Sequence, residues 1–98
     1  MQSISVREMI NYSEGGIISK VVSKGVIEVT LFCMAAGTSI GEHTSTKKGC
    51  VYVIEGKGVF NLDGKDIVME EGVIIEIARN AKHSLKAEKN TSFLLFLT

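Results

Sequence analysis

Short runs of β-branched and aromatic residues recur along almost the whole chain, separated by glycine-containing turns, and only residues 6–12 suggest a helical period. The clearest signal lies between Val59 and Met69, where Asp63-Gly64 separates two apolar runs. Both central positions of a two-residue hairpin turn favour positive φ, which Asp and Gly tolerate. About eight such strands, with a turn signal roughly every ten residues, predict an all-β sandwich or barrel.

Two runs indicate how the sheets pack. The run from Gly25 to Met34 alternates in polarity, which predicts a half-buried strand. The run from Ser92 to Leu97 is apolar on both faces and predicts a central or covered strand. The alternation in the first run assigns one face to Ile27, Val29, Leu31 and Cys33 and the other to Glu28 and Thr30.

The length of 98 residues predicts one domain over 1–98, with an amino-terminal strand or arm over 1–24 and a barrel over 25–98. Eleven basic and eleven acidic side chains cancel, so a nucleic-acid partner is not expected. The first ten residues lack the apolar region of a signal peptide, and no apolar run is long enough to cross a bilayer. We therefore expect a cytoplasmic protein without membrane contact, and two reduced cysteines fit that compartment.

The chain has two histidines, and their positions are the main functional signal. His43 ends the stretch that begins at Gly37, and His83 ends a similar stretch that begins at Gly72. Imidazole titrates near neutral pH and is the commonest metal ligand in proteins. Two imidazoles in similar segments predict a shared pocket.

The spacing around both histidines resembles the two motifs of the cupin superfamily. Gly37, His43, Ser45, Gly49 and Gly56 stand at the spacing of the first motif, and Gly72, Ala78, Asn80, His83 and Ala87 at that of the second. The resemblance runs from Val26 to Thr98. It implies a double-stranded β-helix, or jelly-roll, barrel of the RmlC-like kind and a homodimer formed through sheet faces. In most members it also implies a divalent metal held by three histidines and one glutamate.

This chain departs from that ligand set at two positions. Ser45 stands where the motif has its second histidine, and Gly49 stands where it has the glutamate. Only His43 and His83 are left as candidate ligands, and catalytic zinc sites normally keep at least three protein ligands. The resemblance thus implies a degenerate site, with at most a weakly held ion such as Zn, Ni, Mn or Fe. Asn80 replaces the glycine of the second motif, a mild change because Asn tolerates left-handed backbone.

A small-molecule pocket is the preferred hypothesis. Gly49 removes a side chain from the inner wall, and Val51 continues that wall as apolar surface, which together favour a partly apolar cavity. The predicted ligand-binding residues are His43, Ser45, Gly49, Val51 and His83.

Three alternatives stay open. The first is an enzyme, either a metal-dependent dioxygenase-like or isomerase-like protein or a metal-free sugar isomerase with histidine as the base. Such a base needs an orienting carboxylate and a partner acid, for which Tyr12 and Glu14 are candidates. The second is a pair of imidazoles satisfied by each other, by Ser45 or by water. The third is a non-catalytic dimeric barrel.

Overall fold

Nine strands arranged in two sheets make up the fold in this computed structural model, which describes residues 3–98. Met1 and Gln2, within the arm predicted over 1–24, lie outside the described residues. A single helical turn, α1, spans Val6–Met9. The strands are β1 Ile17–Lys24, β2 Glu28–Met34, β3 Ser39–His43, β4 Gly49–Glu55, β5 Lys57–Leu62, β6 Lys65–Glu70, β7 Ile74–Ile77, β8 His83–Ala87 and β9 Thr91–Leu97.

The two sheets confirm the predicted jelly-roll class. One has five strands in the order β1-β2-β9-β4-β7, and the other has four in the order β3-β8-β5-β6. All their pairings are antiparallel, and strands distant in sequence, such as β2 and β9, lie side by side. The final strand β9 is central in its sheet, as its apolar character on both faces predicts.

The predicted hairpin is present between β5 and β6. Asp63 and Gly64 have φ values of 49° and 87°, the left-handed conformation that this turn requires. Asn80, which stands at a motif glycine position, also has a positive φ of 64°. Each of these residue types tolerates the left-handed region better than other side chains, so the turns form without proline.

The main core lies between the sheets and combines side chains of both. Val51, Val53 and Phe93 from the five-stranded sheet pack in one buried cluster with Phe60 and Leu85 from the four-stranded sheet. Two cavities at the edge of this interior are lined by the histidines. The packing of alternate side chains from opposed sheets is what the two-residue period of the strands predicts.

A second, smaller cluster lies on the outer face of the five-stranded sheet. There Leu31, Cys33 and Ile54 are buried beneath the segment that precedes β1, from here on called the arm, whose contacts are Val6, Met9, Ile10 and Tyr12. The sequence-based assignment of β2 as half-buried is therefore wrong: Phe32 packs against the barrel core, while Leu31 faces the arm. Ile27 lies before the strand and is largely exposed. The alternation was correct in phase, but it could not show that the arm covers the second face.

Among the described residues, no helix is long and apolar enough to cross a membrane.

Candidate functional site

The fold brings the two histidines together at the open end of the barrel. His43 ends β3, His83 begins β8, and the two residues are direct partners in the antiparallel pairing of these strands. Their ring centroids lie 4.0 Å apart with an interplanar angle of 60°. His83 is buried, with 7% of its surface exposed, and His43 is exposed. One imidazole thus belongs to the inner wall, and the other lies at its rim.

Hydrogen bonds to the main chain fix the tautomer of both rings. His43 Nδ1 lies 2.8 Å from the carbonyl oxygen of Gly41, and His83 Nδ1 lies 3.0 Å from that of Ala81. A carbonyl oxygen only accepts hydrogen bonds, so each Nδ1 must carry the proton and donate. In the neutral ring the other nitrogen, Nε2, then has a free lone pair. The site therefore offers two adjacent Nε2 acceptors.

Contacts from β5 and from the β5–β6 turn hold His83 in place. Phe60 stacks on the His83 ring, with centroids 5.7 Å apart and an interplanar angle of 5°. The Lys82 N–H donates to the Asp63 carboxylate at 2.9 Å, and the Asp63 N–H donates to the Lys82 carbonyl at 2.8 Å. The predicted hairpin turn thus anchors the residue that precedes His83.

An inner cavity of about 110 Å³ lies behind the histidines, between the two sheets. Among the described residues that line it, the two imidazoles are the polar side chains. Phe32 and Phe93 form a stacked pair in its wall, with centroids 5.0 Å apart and an interplanar angle of 7°. The lining residues are Phe32, Ile40, His43, Val51, Phe60, Ile77, His83, Leu85, Phe93 and Leu95.

An outer cavity of about 170 Å³ adjoins the inner one and shares His43, Ile77, His83 and Leu95 with it. Its further lining residues are Ser45, Lys47, Gly49 and Leu97. The Lys47 ammonium is paired with the Glu28 carboxylate at 3.0 Å. The hydrogen bond and charge of Lys47 lower the pKa of Glu28 below its ordinary value, so this cation is already engaged.

All five residues of the sequence-based hypothesis line these cavities. His43 and His83 line both, Val51 lines the inner one, and Ser45 and Gly49 line the outer one. The Ser45 hydroxyl oxygen accepts the Lys47 N–H at 3.1 Å, so it also shapes the loop before β4.

The position of Gly49 gives less room than the sequence suggests. A Cβ atom there would lie 3.3 Å from Leu97 Cδ2 and 3.6 Å from Ile77 Cβ. These two apolar side chains therefore occupy part of the space next to the glycine.

The donor set does not fit the metal centre that the two motifs imply in most cupins. Within residues 3–98 no group of three or more histidine, cysteine or carboxylate side chains is arranged to hold an ion. Ser45 uses its oxygen in the loop, and Gly49 has no ligand. The two Nε2 atoms are the donors that this site offers, fewer than tight zinc binding requires.

The candidate partners of a histidine base lie elsewhere. The Tyr12 hydroxyl donates to Glu55 Oε2 at 2.8 Å under the arm, and Glu14 lines a separate surface hollow with Tyr12. Both Nδ1 atoms bond to main-chain carbonyls instead of carboxylates. The orienting carboxylate expected of a histidine base is therefore not supplied at either Nδ1.

Sequence analysis missed much of the apolar lining. Leu95 pairs with Val51, and Leu97 pairs with Gly49, so both side chains share the inner face of β4. Alternation within β9 could have placed them on one face, but the register that brings that face to the histidines is a tertiary feature. Lys47 also gave no signal beyond its charge.

Comparison with known proteins supports the assignment of the fold. The family model of the cupin domain matches residues 30–98. A search of curated protein sequences finds no relative. A cupin 2 conserved barrel domain protein from Leptotrichia buccalis has a similar structure, with a TM-score of 0.87 and 29% identity over 94% of this chain and 45% of that one.

Two further solved structures align with this chain over most of their own length. An RmlC-like cupin protein from Desulfovibrio desulfuricans superposes with a TM-score of 0.89 and 20% identity, covering 100% of this chain and 96% of that one. A conserved protein of unknown function from Streptococcus pyogenes gives a TM-score of 0.88 and 20% identity, covering 99% of this chain and 86% of that one. Because the family model matches more than half of the residues, and the jelly-roll topology agrees with it, this chain belongs to the cupin superfamily.

Proposed function

We propose that this protein binds a small molecule at the open end of its barrel, between His43 and His83. The observation that carries the proposal is the pair of adjoining cavities that share both imidazoles. A concave, mainly apolar space with a few converging polar groups is the usual form of a ligand site. The tautomers leave both Nε2 atoms available for a ligand.

A weakly held divalent ion is the second candidate. The 4.0 Å separation of the ring centroids brings two imidazole ligands close to each other. Two neutral ligands provide little charge, so water would complete the coordination and the affinity would be low. No catalytic step is assigned to either candidate.

A fragment titration followed by NMR tests the proposal. Uniformly labelled protein is titrated at pH 8 with a chemically diverse fragment set, and separately with Zn²⁺, while the histidine ring signals and the methyl signals of Ile77 and Leu95 are recorded. We expect at least one fragment to shift the methyl and ring signals together, since both groups line the same cavities. A shift of the ring signals alone, with Zn²⁺ only, supports the second candidate.

Filling the inner cavity provides the matched variant. Val51→Leu adds one methylene in the cavity wall, and Val68→Leu adds the same group on a half-exposed position of β6. Fragment affinity should fall in the first variant and stay unchanged in the second. If no fragment shifts the lining signals of the parent protein, small-molecule binding is rejected.

A further inference from the structure

The inner and outer cavities differ in chemistry, and that difference selects a class of ligand. The inner cavity is walled by apolar side chains up to the two imidazoles, while charge is confined to Lys47 at the outer one. We infer that the ligand is a small, uncharged aromatic molecule with a single hydroxyl, of the phenol class, with its ring in the inner cavity and its hydroxyl on an imidazole Nε2. This inference rests on the proposed small-molecule function.

The apolar wall argues against charged and polyhydroxylated ligands. Eight of the ten residues that line the inner cavity are aliphatic or phenylalanine, and none carries a carboxylate, an ammonium or a guanidinium group. A buried carboxylate without a cationic partner costs several kcal/mol or changes its protonation. The nearest cation in the lining of the outer cavity, Lys47, is engaged by Glu28. A sugar would leave several hydroxyls without partners among these side chains.

The tautomers determine whether the ligand donates or accepts in the one hydrogen bond that it makes with an imidazole. Each Nδ1–H donates to a main-chain carbonyl, so the remaining ring nitrogen of each neutral imidazole, Nε2, is an acceptor. The complementary group on the ligand is therefore a donor. A hydroxyl donates to Nε2, whereas a carboxylate, an ether or a ketone has no proton to offer.

Size and shape favour a six-membered ring. The volume of about 110 Å³ is close to that of dry apolar cavities, on the order of 150 Å³, that accept benzene. Two stacked ring pairs, Phe32–Phe93 and Phe60–His83, line this cavity. Aromatic ligands gain edge and face contacts with such walls beyond the area that they bury. The outer cavity leaves room for the hydroxyl end.

Three monosubstituted benzenes, of which phenol and toluene are equal in size, test this inference. Phenol, toluene and benzoate are titrated at pH 8 into the parent protein, and dissociation constants are obtained from the methyl shifts of Ile77 and Leu95. We expect phenol to bind about fivefold more tightly than toluene, as one neutral hydrogen bond provides. Benzoate should bind at least about tenfold more weakly than phenol, because its charge is desolvated without a partner.

The double variant His43→Leu/His83→Leu tests the role of the imidazoles. It should bind toluene more tightly than phenol, because both acceptors are gone and the phenol hydroxyl would be buried without a partner, while the apolar cavity stays. Retained toluene binding shows that the variant is folded and that its pocket is intact. If the variant does not fold, the single variant His43→Leu, at the exposed rim, should still reduce the preference for phenol.

Several results would overturn the inference. These are toluene or benzoate binding as tightly as phenol in the parent, a phenol preference that persists in the double variant, or no phenol binding at all. If another fragment still shifts the cavity methyls, only the ligand class is wrong and the small-molecule function stands. If no fragment shifts them, both proposals fail.

Discussion

Gly56 and Gly49 both belong to the first histidine motif, but their surroundings differ. Gly56 has a φ of 111°, and a Cβ atom there would overlap the Asn90 carbonyl oxygen and lie 2.5 Å from Thr91 Cα. At Gly49 the nearest atom to such a Cβ is the flexible end of Leu97, at 3.3 Å. The motif spacing thus includes one glycine required by the backbone and one that only borders the pocket.

Alanine substitutions should separate these two roles. We expect Gly56→Ala to lower the free energy of unfolding by ~3 kcal/mol or more, because both the φ value and the overlap with main-chain atoms are unfavourable. Gly49→Ala should change it by less than ~1 kcal/mol, since Leu97 can shift. Urea unfolding of both variants measures the difference. Equal effects would contradict the assignment of backbone necessity to Gly56 alone.

The arm is held mainly by apolar contacts, and polar contacts with Glu55, Glu71 and Lys20 add to them. Tyr12 donates to Glu55, and Arg7 pairs with Glu55 at 3.3 Å and with Glu71 at 3.6 Å. Burial, and then the hydrogen bond and charge of Glu55, raise the pKa of Tyr12 to about 12. The Ser92 hydroxyl partly offsets this rise in the Tyr12 pKa. The Ser92 oxygen is buried, but among the described residues it has no hydrogen-bond partner within the usual geometry.

This pKa predicts how stability depends on alkaline pH. The folded chain keeps the Tyr12 proton between the ordinary tyrosine pKa of 10.0 and about 12, where the unfolded chain loses it. The contribution of Tyr12 to the free energy of unfolding should therefore be fully present below pH 10. It should be lost as the pH rises towards 12.

Tyr12→Phe should flatten this decrease and cost about 1 kcal/mol at pH 8 for the lost hydrogen bond. The second tyrosine of the chain, Tyr52, is 39% exposed, and Tyr52→Phe is the matched control. Urea unfolding at pH 8, 10 and 11.5 gives the slopes. An unchanged slope in Tyr12→Phe would show that other groups cause the alkaline loss.

At the scale of the whole molecule, the outer face of the five-stranded sheet is only partly covered. The arm covers Leu31 and Cys33, but Tyr52 and its cross-strand neighbour Ile74 are 39% and 63% exposed. Phe96, paired with Cys50, continues this apolar surface. The part of this sheet face that can meet another chain is therefore the part that the arm leaves uncovered.

We propose that a homodimer forms through this uncovered part. An interface of ordinary size would bury about 800 Å² of the 5904 Å² of surface of each chain. Ile74→Lys should raise the dimer dissociation constant at least about tenfold by placing a charge in the interface. Val68→Lys, at a position 50% exposed on the other sheet, should leave it unchanged. Sedimentation equilibrium measures the dissociation constants of both variants. A parent protein that is monomeric at about 100 µM, on the order of the dissociation constant of a weak dimer, would reject the dimer.

How much of this architecture the sequence predicts depends on the range of the interactions. The prediction of the Asp63-Gly64 turn is confirmed, because such a turn depends on two residues. The predicted proximity of His43 and His83 follows from the matching spacing of the two motifs. The contacts of Leu97 with the pocket and of the arm with β2 depend on register and tertiary packing. No local pattern contains that information, so the part of the cavity lining that β9 provides and the covered sheet face could not be predicted.

The hydrogen bonds to both Nδ1 atoms come from backbone carbonyls and not from side chains. A side-chain substitution does not remove the carbonyl of Gly41 or Ala81. These two hydrogen bonds, which help to set the direction of each Nε2, therefore remain when the surrounding side chains change. Substitutions at Ser45, Gly49 or Leu97 can therefore change which ligand fits, while the two Nε2 acceptors keep their direction. Such a site can change its chemical preference in single steps.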